Sequence, residues 1–214
     1  MKHRSRAERF FTKEERALIK ATTCDVESRT IGEVAVMVVD SSDQYAEAEV
    51  LGGILLGSLL ALLVSVSYFH ASLWPYIPLS LLFFVPSKIL FRKARWLKAV
   101  FIGLKRMDHA VRERALRAFY EKGLYRTQKH TGVLFFLSLL ERKVWVIADR
   151  GIHEKIGQET LNKFARVVSQ GIRDGRACDA LCEAIREAGE LLARHFPMTP
   201  GDVDELPDDV MTEE

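Results

Sequence analysis

The sequence predicts an α/β protein: a small α/β/α sandwich with a mixed sheet, interrupted by a two-helix transmembrane hairpin. Helical and strand patterns alternate through most of the 214-residue chain, which favours the α/β class. Residues 50–87 contain no Asp, Glu, Lys or Arg, although 28% of the whole chain is charged. This segregation of apolar and charged residues excludes a disordered chain and argues against a purely soluble protein.

The first helix and the first strand precede the apolar region. Thr12 followed by Glu15 is a capping-box pattern, which predicts the beginning of a helix. Gly32 then opens the β-branched run GEVAVMVVD, which predicts a buried strand that ends at Asp40. The apolar positions of this first helix are Ala17, Leu18, Ala21 and Val26.

Three helices and two strands follow the apolar region. Asp108 is expected to cap a helix that ends at Gly123, and strands are expected over residues 132–139 and 144–148. A strand, a crossover and a strand imply a parallel pair, and the next strand adds an antiparallel neighbour. The inward-facing positions of the three helices are Val111, Ala115, Ala118 and Phe119; Leu161, Phe164, Val168 and Ile172; and Leu181, Ile185, Ala188, Leu192 and Phe196.

These patterns divide the chain into a discontinuous domain and an inserted membrane segment. Residues 7–48 and 108–196 form the α/β domain, and residues 49–91 form the hairpin. A basic amphipathic segment follows over residues 92–107. Residues 197–214 form an acidic tail with seven acids and no base.

Two apolar stretches predict the membrane spans, over about residues 50–69 and 73–91. At about 1.5 Å per residue, a helix of this length crosses the roughly 30 Å of a hydrocarbon core. Only three residues separate the spans, so they are expected to be antiparallel with both termini on one side. A re-entrant second segment is the alternative, because three prolines lie in it.

Charge next to the hairpin predicts its orientation. The short turn has no Lys or Arg, whereas six bases follow the second span, so the positive-inside rule places both termini in the cytoplasm. Apolar residues at helical spacing accompany these bases, which are therefore expected to face anionic lipid; a charged continuation of the helix is the alternative. The six bases are Arg92, Lys93, Arg95, Lys98, Lys105 and Arg106.

A stripe of small residues lies on one face of the first span. Gly53, Gly57, Ala61 and Ser65 recur every four residues. Small side chains permit close helix approach, so the stripe is expected to serve either the hairpin itself or a homodimer.

The remaining composition excludes several classes of protein. A net charge of +2 gives no global field for nucleic acid. Three cysteines, an odd number, fit a reducing compartment, and the basic N-terminus lacks the apolar stretch of a signal peptide. Cys178 and Cys182 lie four residues apart without further ligands, which predicts packed thiols rather than a zinc site.

Five strings outside the hairpin carry a family resemblance: FFTKEE (10–15), TIGEVAV (30–36), FYEKGLYRT (119–127), TGVLFFLSLLERKVWVIADRGI (131–152) and DVDELPDD (202–209). They resemble the TPM domain family, also called TPM phosphatase-like, and most closely its short bacterial form, which implies a bacterial inner membrane as the location. That form usually has no membrane span, so the hairpin is a departure. The resemblance implies acid phosphatase activity, divalent-metal binding or an accessory role in membrane complexes as possible functions.

Carboxylates that follow the first two strands are the candidate metal ligands. Asp40 and Asp43 follow the first strand, where open α/β sheets tend to bind ligands, and Glu141 follows the second. Such a set would bind Ca²⁺ or Mg²⁺ weakly; solvated acids in a strand-exit loop are the alternative. Asp149 is expected at the opposite sheet edge, followed by Gly151 in a turn with positive φ.

No catalytic residues are predicted, because the sequence has no phosphate cradle and no nucleophile with a partnering base. The leading hypothesis is a membrane-anchored, non-enzymatic TPM-like module that binds the lipid bilayer and a membrane protein complex on the cytoplasmic face. A metal-dependent acid phosphatase is the first alternative. A scaffold that binds anionic lipid surfaces is the second.

Overall fold

The computed structural model describes residues 5–69, 73–94, 97–98, 101–127, 129–199 and 209–213. The chain divides into two compact units. The α/β unit comprises Met1–Ser42 and Asp108–Glu214, and the hairpin unit comprises Asp43–Met107.

A four-stranded mixed sheet forms the centre of the α/β unit, with the strand order β3-β2-β1-β4. β1 pairs in parallel with β2 and with β4, and β2 pairs antiparallel with β3. These pairings confirm the predicted parallel pair with its antiparallel neighbour. The strands are β1 (Glu33–Val39), β2 (Gly132–Ser138), β3 (Lys143–Ala148) and β4 (Met211–Glu213).

The described helices follow the predicted order, with short additions. α3 and α4 belong to the hairpin unit, and α5 begins in its last residues and continues into the α/β unit. In chain order the helices are α1 (Arg6–Phe10), α2 (Lys13–Glu27), α3 (Ala46–Phe69), α4 (Leu73–Lys93), α5 (Leu104–Glu121), α6 (Arg150–Ile156), α7 (Gln158–Arg173) and α8 (Ala177–His195), with a 3₁₀ turn at Leu124–Arg126.

The sheet is buried on both faces, which confirms the α/β/α sandwich. Every residue of β1 and of β2 is buried, as expected for parallel strands covered by helices on both sides. The even-numbered residues of β1 pack with α2, α7 and α8, whereas the odd-numbered ones pack with α5.

α2 begins at the predicted capping box but buries a different face. The Thr12 N–H donates to the Glu15 carboxylate at 2.8 Å, and the Glu15 N–H donates to the Thr12 hydroxyl at 3.1 Å. Close packing on α8 sets the rotation of the helix, because Val26 fills the space beside Gly189. Of the apolar residues of this helix, Val26 is buried, whereas Ala17, Leu18 and Ala21 are exposed. The buried residues are Ile19, Thr22, Thr23 and Val26.

α5 has the predicted buried face but begins one turn earlier. The carbonyl of Gly103 accepts hydrogen bonds from the N–H groups of Arg106 and Met107, so the helix starts at Leu104 rather than at Asp108. Asp108 pairs with Lys143 instead of capping the helix. The predicted stop is confirmed, since Gly123 has φ of +79°.

The described end of the acidic tail adds to the sheet edge beside β1. Met211 lies opposite Met37, and the Asp40 N–H donates to the Glu213 carbonyl at 3.2 Å. The Glu213 carboxylate pairs with Arg114 and, at 2.9 Å, with Lys122. The tail acids at positions 202, 204, 205 and 208 lie outside the described residues.

Candidate functional site

α3 and α4 pack closely through the small-residue stripe. A Cβ built on Gly57 would lie 3.0 Å from the Phe84 backbone nitrogen, and one on Gly53 would lie 3.2 Å from the Phe84 ring. Ala61 and Ser65, which complete the stripe, are also buried. The stripe therefore serves helix approach within the hairpin, one of its two expected uses. Dimerisation through it stays a prediction.

Both helices of the hairpin are long and apolar enough to cross a membrane. Their most apolar windows have mean hydropathies of 2.3 and 1.4, and only 28% and 6% of these windows is buried. Leu81 and Leu82 are 69% and 66% exposed. Apart from the stripe, the hairpin thus presents an apolar surface around its outside.

A buried ion pair lies within the hairpin unit. The Lys98 ammonium group is 2.5 Å from the Glu49 carboxylate and donates to the Gln44 carbonyl at 3.1 Å. Lys98 is only 8% exposed. The expectation that Lys98 faces lipid was therefore wrong, because its charge is neutralised inside the unit.

A second cluster in the hairpin unit is centred on Arg106. Its guanidinium group pairs with Asp43, lies 3.2 Å from the Glu47 carboxylate, and sits 5.6 Å from the ring centroid of Tyr45. The hydrogen bond that Arg106 donates to the Asp43 carboxylate is the main cause that raises the pKa of Arg106 above its ordinary value. Arg106 is exposed as well as ion-paired, and its lipid-facing role stays a prediction.

The other predicted lipid-facing bases have different outcomes. Arg92, Lys93 and Lys105 are exposed, and Arg95 lies outside the described residues. The sequence analysis missed Glu47 and Glu49 as ion-pair partners. Their position, immediately before an apolar span that six bases follow, was the available signal.

Asp40, a predicted metal ligand, is a buried acceptor at the end of β1. Its side chain is 4% exposed and accepts a hydrogen bond from the Ala7 N–H at 2.6 Å. The bond ties α1 to the sheet end. This use resembles helix capping, in which a carboxylate satisfies an otherwise unpaired backbone donor.

Glu141, the second predicted ligand in the α/β unit, is also buried. It accepts hydrogen bonds from the Ser42 N–H at 2.9 Å and from the Ser138 hydroxyl. Strand alternation places the Asp40 side chain on the α2 side of the sheet and that of Ser138 on the α5 side. Asp40 and the Glu141–Ser138 pair therefore follow neighbouring strands but lie on opposite faces of the sheet.

The described carboxylates do not converge as a metal cage. No group of three or more His, Cys, Asp or Glu residues within the described part of the chain is arranged to hold a metal ion. Asp43 belongs to the hairpin unit, where it binds Arg106. The metal role of Asp40, Asp43 and Glu141 stays a prediction.

Asp149 and Gly151 end β3 in a different geometry from the expected turn. Asp149 caps α6 by accepting from the Arg150 N–H at 2.7 Å, and its carboxylate lies 3.2 Å from His130 Nδ1. Gly151 is helical, so the expected positive φ was wrong. Glycine is required there because a Cβ would lie 2.7 Å from the His130 carbonyl.

Cys178 and Cys182 are buried in α8. Burial, reinforced by the neighbouring Cys182, raises the pKa of the Cys178 thiol to about 12. Such a thiol is protonated at neutral pH, which makes it a poor nucleophile.

Comparison with known proteins finds a likeness to one family over the second half of the fold. The model of the TPM domain matches residues 93–191, which contain α5, β2, β3, α6, α7 and most of α8. The NMR structure of BA42 protein from the psychrophilic bacterium Bizionia argentinensis superposes with a TM-score of 0.60. It is 19% identical, over 95% of this chain and 96% of that one, so this likeness concerns the fold alone. No curated protein matches the chain.

Proposed function

Because the TPM domain model matches residues 93–191, we propose that this chain is a TPM-domain protein anchored in the membrane by its hairpin. The α/β unit then acts as a non-enzymatic accessory module on the cytoplasmic face, where it binds a membrane protein. Three groups of observations support this proposal: the exposure of α3 and α4, the charge beside them, and the hydrogen bonding of the candidate carboxylates.

The apolar outer surface of the hairpin is the observation that carries the proposal. A long apolar helix in a soluble protein is usually a core helix, but only 6% of the apolar window of α4 is buried. A secretory signal lies near the N-terminus, whereas α3 begins at Ala46. An apolar surface on this scale is unfavourable in water and favourable in lipid.

Exposed bases beside α4 support the cytoplasmic orientation. Arg92 and Lys93 end α4, and Lys105 follows within the range over which Lys and Arg determine topology. Burial of Lys98 in an ion pair leaves one base fewer for lipid headgroups. A membrane anchor is therefore better supported than a scaffold held on the lipid surface by charge.

The candidate carboxylates support an accessory role over catalysis. Asp40 and Glu141 already accept hydrogen bonds from backbone N–H groups, which gives each a structural use. Metal binding and phosphatase activity stay predictions of the family resemblance.

Membrane extraction of the full chain from a bacterial host tests the proposal. We expect it to resist alkaline carbonate and to need detergent, and to retain a membrane protein in a fixed ratio after mild solubilisation. Release by carbonate, or purification without any stoichiometric partner, would contradict the proposal.

The same sample tests the enzymatic alternative. We expect no hydrolysis of a phosphomonoester above background in Mg²⁺, Mn²⁺ or Ca²⁺. Turnover that is lost in both Asp40→Asn and Glu141→Gln would establish a phosphatase in place of an accessory module.

A further inference from the structure

A cleft at the β3 edge of the sheet is not used by membrane anchoring. It has a volume of about 280 Å³ and lies between α5, the edge strand β3 and α7. α5 contributes Arg112 and Leu116, β3 contributes Trp145 and Ile147, and α7 contributes Gln158 and Asn162. All of these residues belong to the α/β unit.

The backbone of β3 is available on the side that faces away from β2. β3 is the last strand in the sheet order of the described residues. The Asp149 N–H donates to the Gly132 carbonyl at 2.8 Å, so the backbone of Asp149 faces β2. Along an antiparallel strand, residues whose backbone groups face the neighbouring strand alternate with residues whose groups face away. Val144, Val146 and Ala148 therefore direct their N–H and C=O groups away from β2.

The side chains of the cleft combine an apolar surface with a single cation. Among the described residues, no carboxylate pairs with Arg112, since the nearby acids Asp108 and Glu113 bind Lys143 and His109. The other polar lining groups are the amides of Gln158 and Asn162, which share a hydrogen bond of 3.0 Å. The lining therefore complements a ligand that carries a carboxylate.

The opposite edge of the same sheet shows how α5 holds an acidic strand. β4 is only three residues long, and it pairs with β1 while its Glu213 carboxylate is bound by Arg114 and Lys122. Residues two apart on a helix point to opposite sides. Arg112 accordingly stands at the β3 edge much as Arg114 stands at the β4 edge.

We infer that the β3 edge binds an acidic, extended peptide segment of a partner protein by strand addition. The peptide backbone pairs with Val144, Val146 and Ala148, and a peptide carboxylate binds Arg112. Main-chain pairing supplies affinity and the cleft supplies side-chain selection, as in other cases of strand addition. The inference rests on the partner-binding function proposed above and names the chemistry of the partner.

Peptide binding to the full chain in detergent tests the inference without depending on membrane orientation. The probe is a fluorescein-labelled VMTEE peptide, which copies residues 210–214 and so carries a strand-forming acidic sequence. Fluorescence anisotropy measures its affinity. The peptide controls are VMTQQ, which removes the charge, and VMPEE, which disrupts strand pairing.

Two test variants and two control variants separate the β3 edge from other sites. Arg112→Gln removes the cation, and Ala148→Pro removes an outward N–H at the strand end, where proline is tolerated on an edge. We expect each to weaken binding about tenfold. Arg114→Gln, at the β4 edge, and Arg117→Gln, exposed on the same helix, are matched controls expected to leave the affinity unchanged.

The outcomes decide between specific alternatives. No saturable binding, or equal binding by the variants and the wild type, would overturn the inference even if the chain is membrane-anchored. Weakening by Arg112→Gln without weakening by Ala148→Pro would replace strand addition with simple carboxylate capture. Weakening by Arg114→Gln alone would place the peptide at the β4 edge. Circular dichroism confirms that each variant is folded.

Discussion

Lys98 and Glu49 form a nearly buried ion pair, so we expect the loss of either partner to destabilise the hairpin unit. Removing one partner of a buried pair leaves an unneutralised charge, which typically costs about 3–5 kcal/mol. The Lys98 and Glu49 side chains are only 10% and 13% exposed.

We therefore expect Lys98→Met to lower the thermal midpoint of the hairpin unit strongly in detergent. The double variant Lys98→Met/Glu49→Leu should recover most of this loss, because no unpaired charge remains. Arg92→Gln, at an exposed base, is the control. Equal midpoints for Lys98→Met and Arg92→Gln would show that the pair does not stabilise the unit.

Gly189 is a second residue for which a neighbouring side chain is decisive, because Val26 occupies the space that a Cβ would need. An alanine Cβ there would lie 2.5 Å from Val26 Cγ1. We expect Gly189→Ala to destabilise the α/β unit by about 1–3 kcal/mol through overpacking, and to lower its melting temperature by several degrees.

Gly103→Ala is the matched control for this prediction. A Cβ at that position meets no atom within 4 Å, and its φ is not positive. An unchanged melting temperature in Gly189→Ala would mean that α2 and α8 approach less closely than described.

The three cysteines should differ in reactivity. Cys24 is exposed, whereas burial raises the pKa of Cys178 to about 12. At pH 8 we expect iodoacetamide to modify Cys24 rapidly and Cys178 only after unfolding; mass spectrometry of digests measures both. Fast modification of Cys178 in the folded protein would contradict its burial.

The same pKa predicts a loss of stability in alkali. The folded pKa of Cys178 lies above its ordinary value of 9.0, so the folded protein keeps a proton that the unfolded chain releases. This contribution is complete below about pH 9 and disappears as the pH rises towards 12.

At the scale of elements, hydrophobic periodicity predicted the helices and strands that are long enough to show a pattern. β1, β2, β3, α7 and α8 lie where their apolar spacing indicates, and the capping box marks the beginning of α2. α1 and α6 have five and seven residues, too few for a period to be visible.

β4 could not be predicted for a different reason. Its three residues, MTE, carry no strand pattern, and they are extended because they pair with β1. The rotation of α2 likewise depends on Val26 beside Gly189, a contact between residues far apart in the chain. Ion pairs across the hairpin unit depend on which side chains the folded chain brings together.

Truncation after Asp209 tests the contribution of β4. It removes the ladder with β1 and leaves Arg114 and Lys122 without the Glu213 carboxylate. We expect faster amide exchange at Met37, Val38 and Val39 and a lower melting temperature. Unchanged exchange at these residues would show that the tail does not form the edge strand.

At the scale of the whole molecule, an apolar hairpin is inserted in the chain between the first two strands of an α/β/α sandwich. The sequence predicted this organisation because charge and apolarity are segregated along the chain. It did not predict that Lys98 and Arg106 form ion pairs with acids of their own unit. The family match begins at residue 93, beside the end of the hairpin.

Sided labelling of cysteines with a membrane-impermeant maleimide tests the central claim most directly. Cys24 reports on the α/β unit, and Ser72→Cys, at a position between α3 and α4 in the sequence, reports on the other end of the two spans. We predict labelling of Cys24 only in inverted inner-membrane vesicles, and labelling of Ser72→Cys in a Cys24→Ser background only in right-side-out vesicles. Labelling of both positions from the same side, or loss of the chain from washed vesicles, would contradict a spanning hairpin with a cytoplasmic TPM domain.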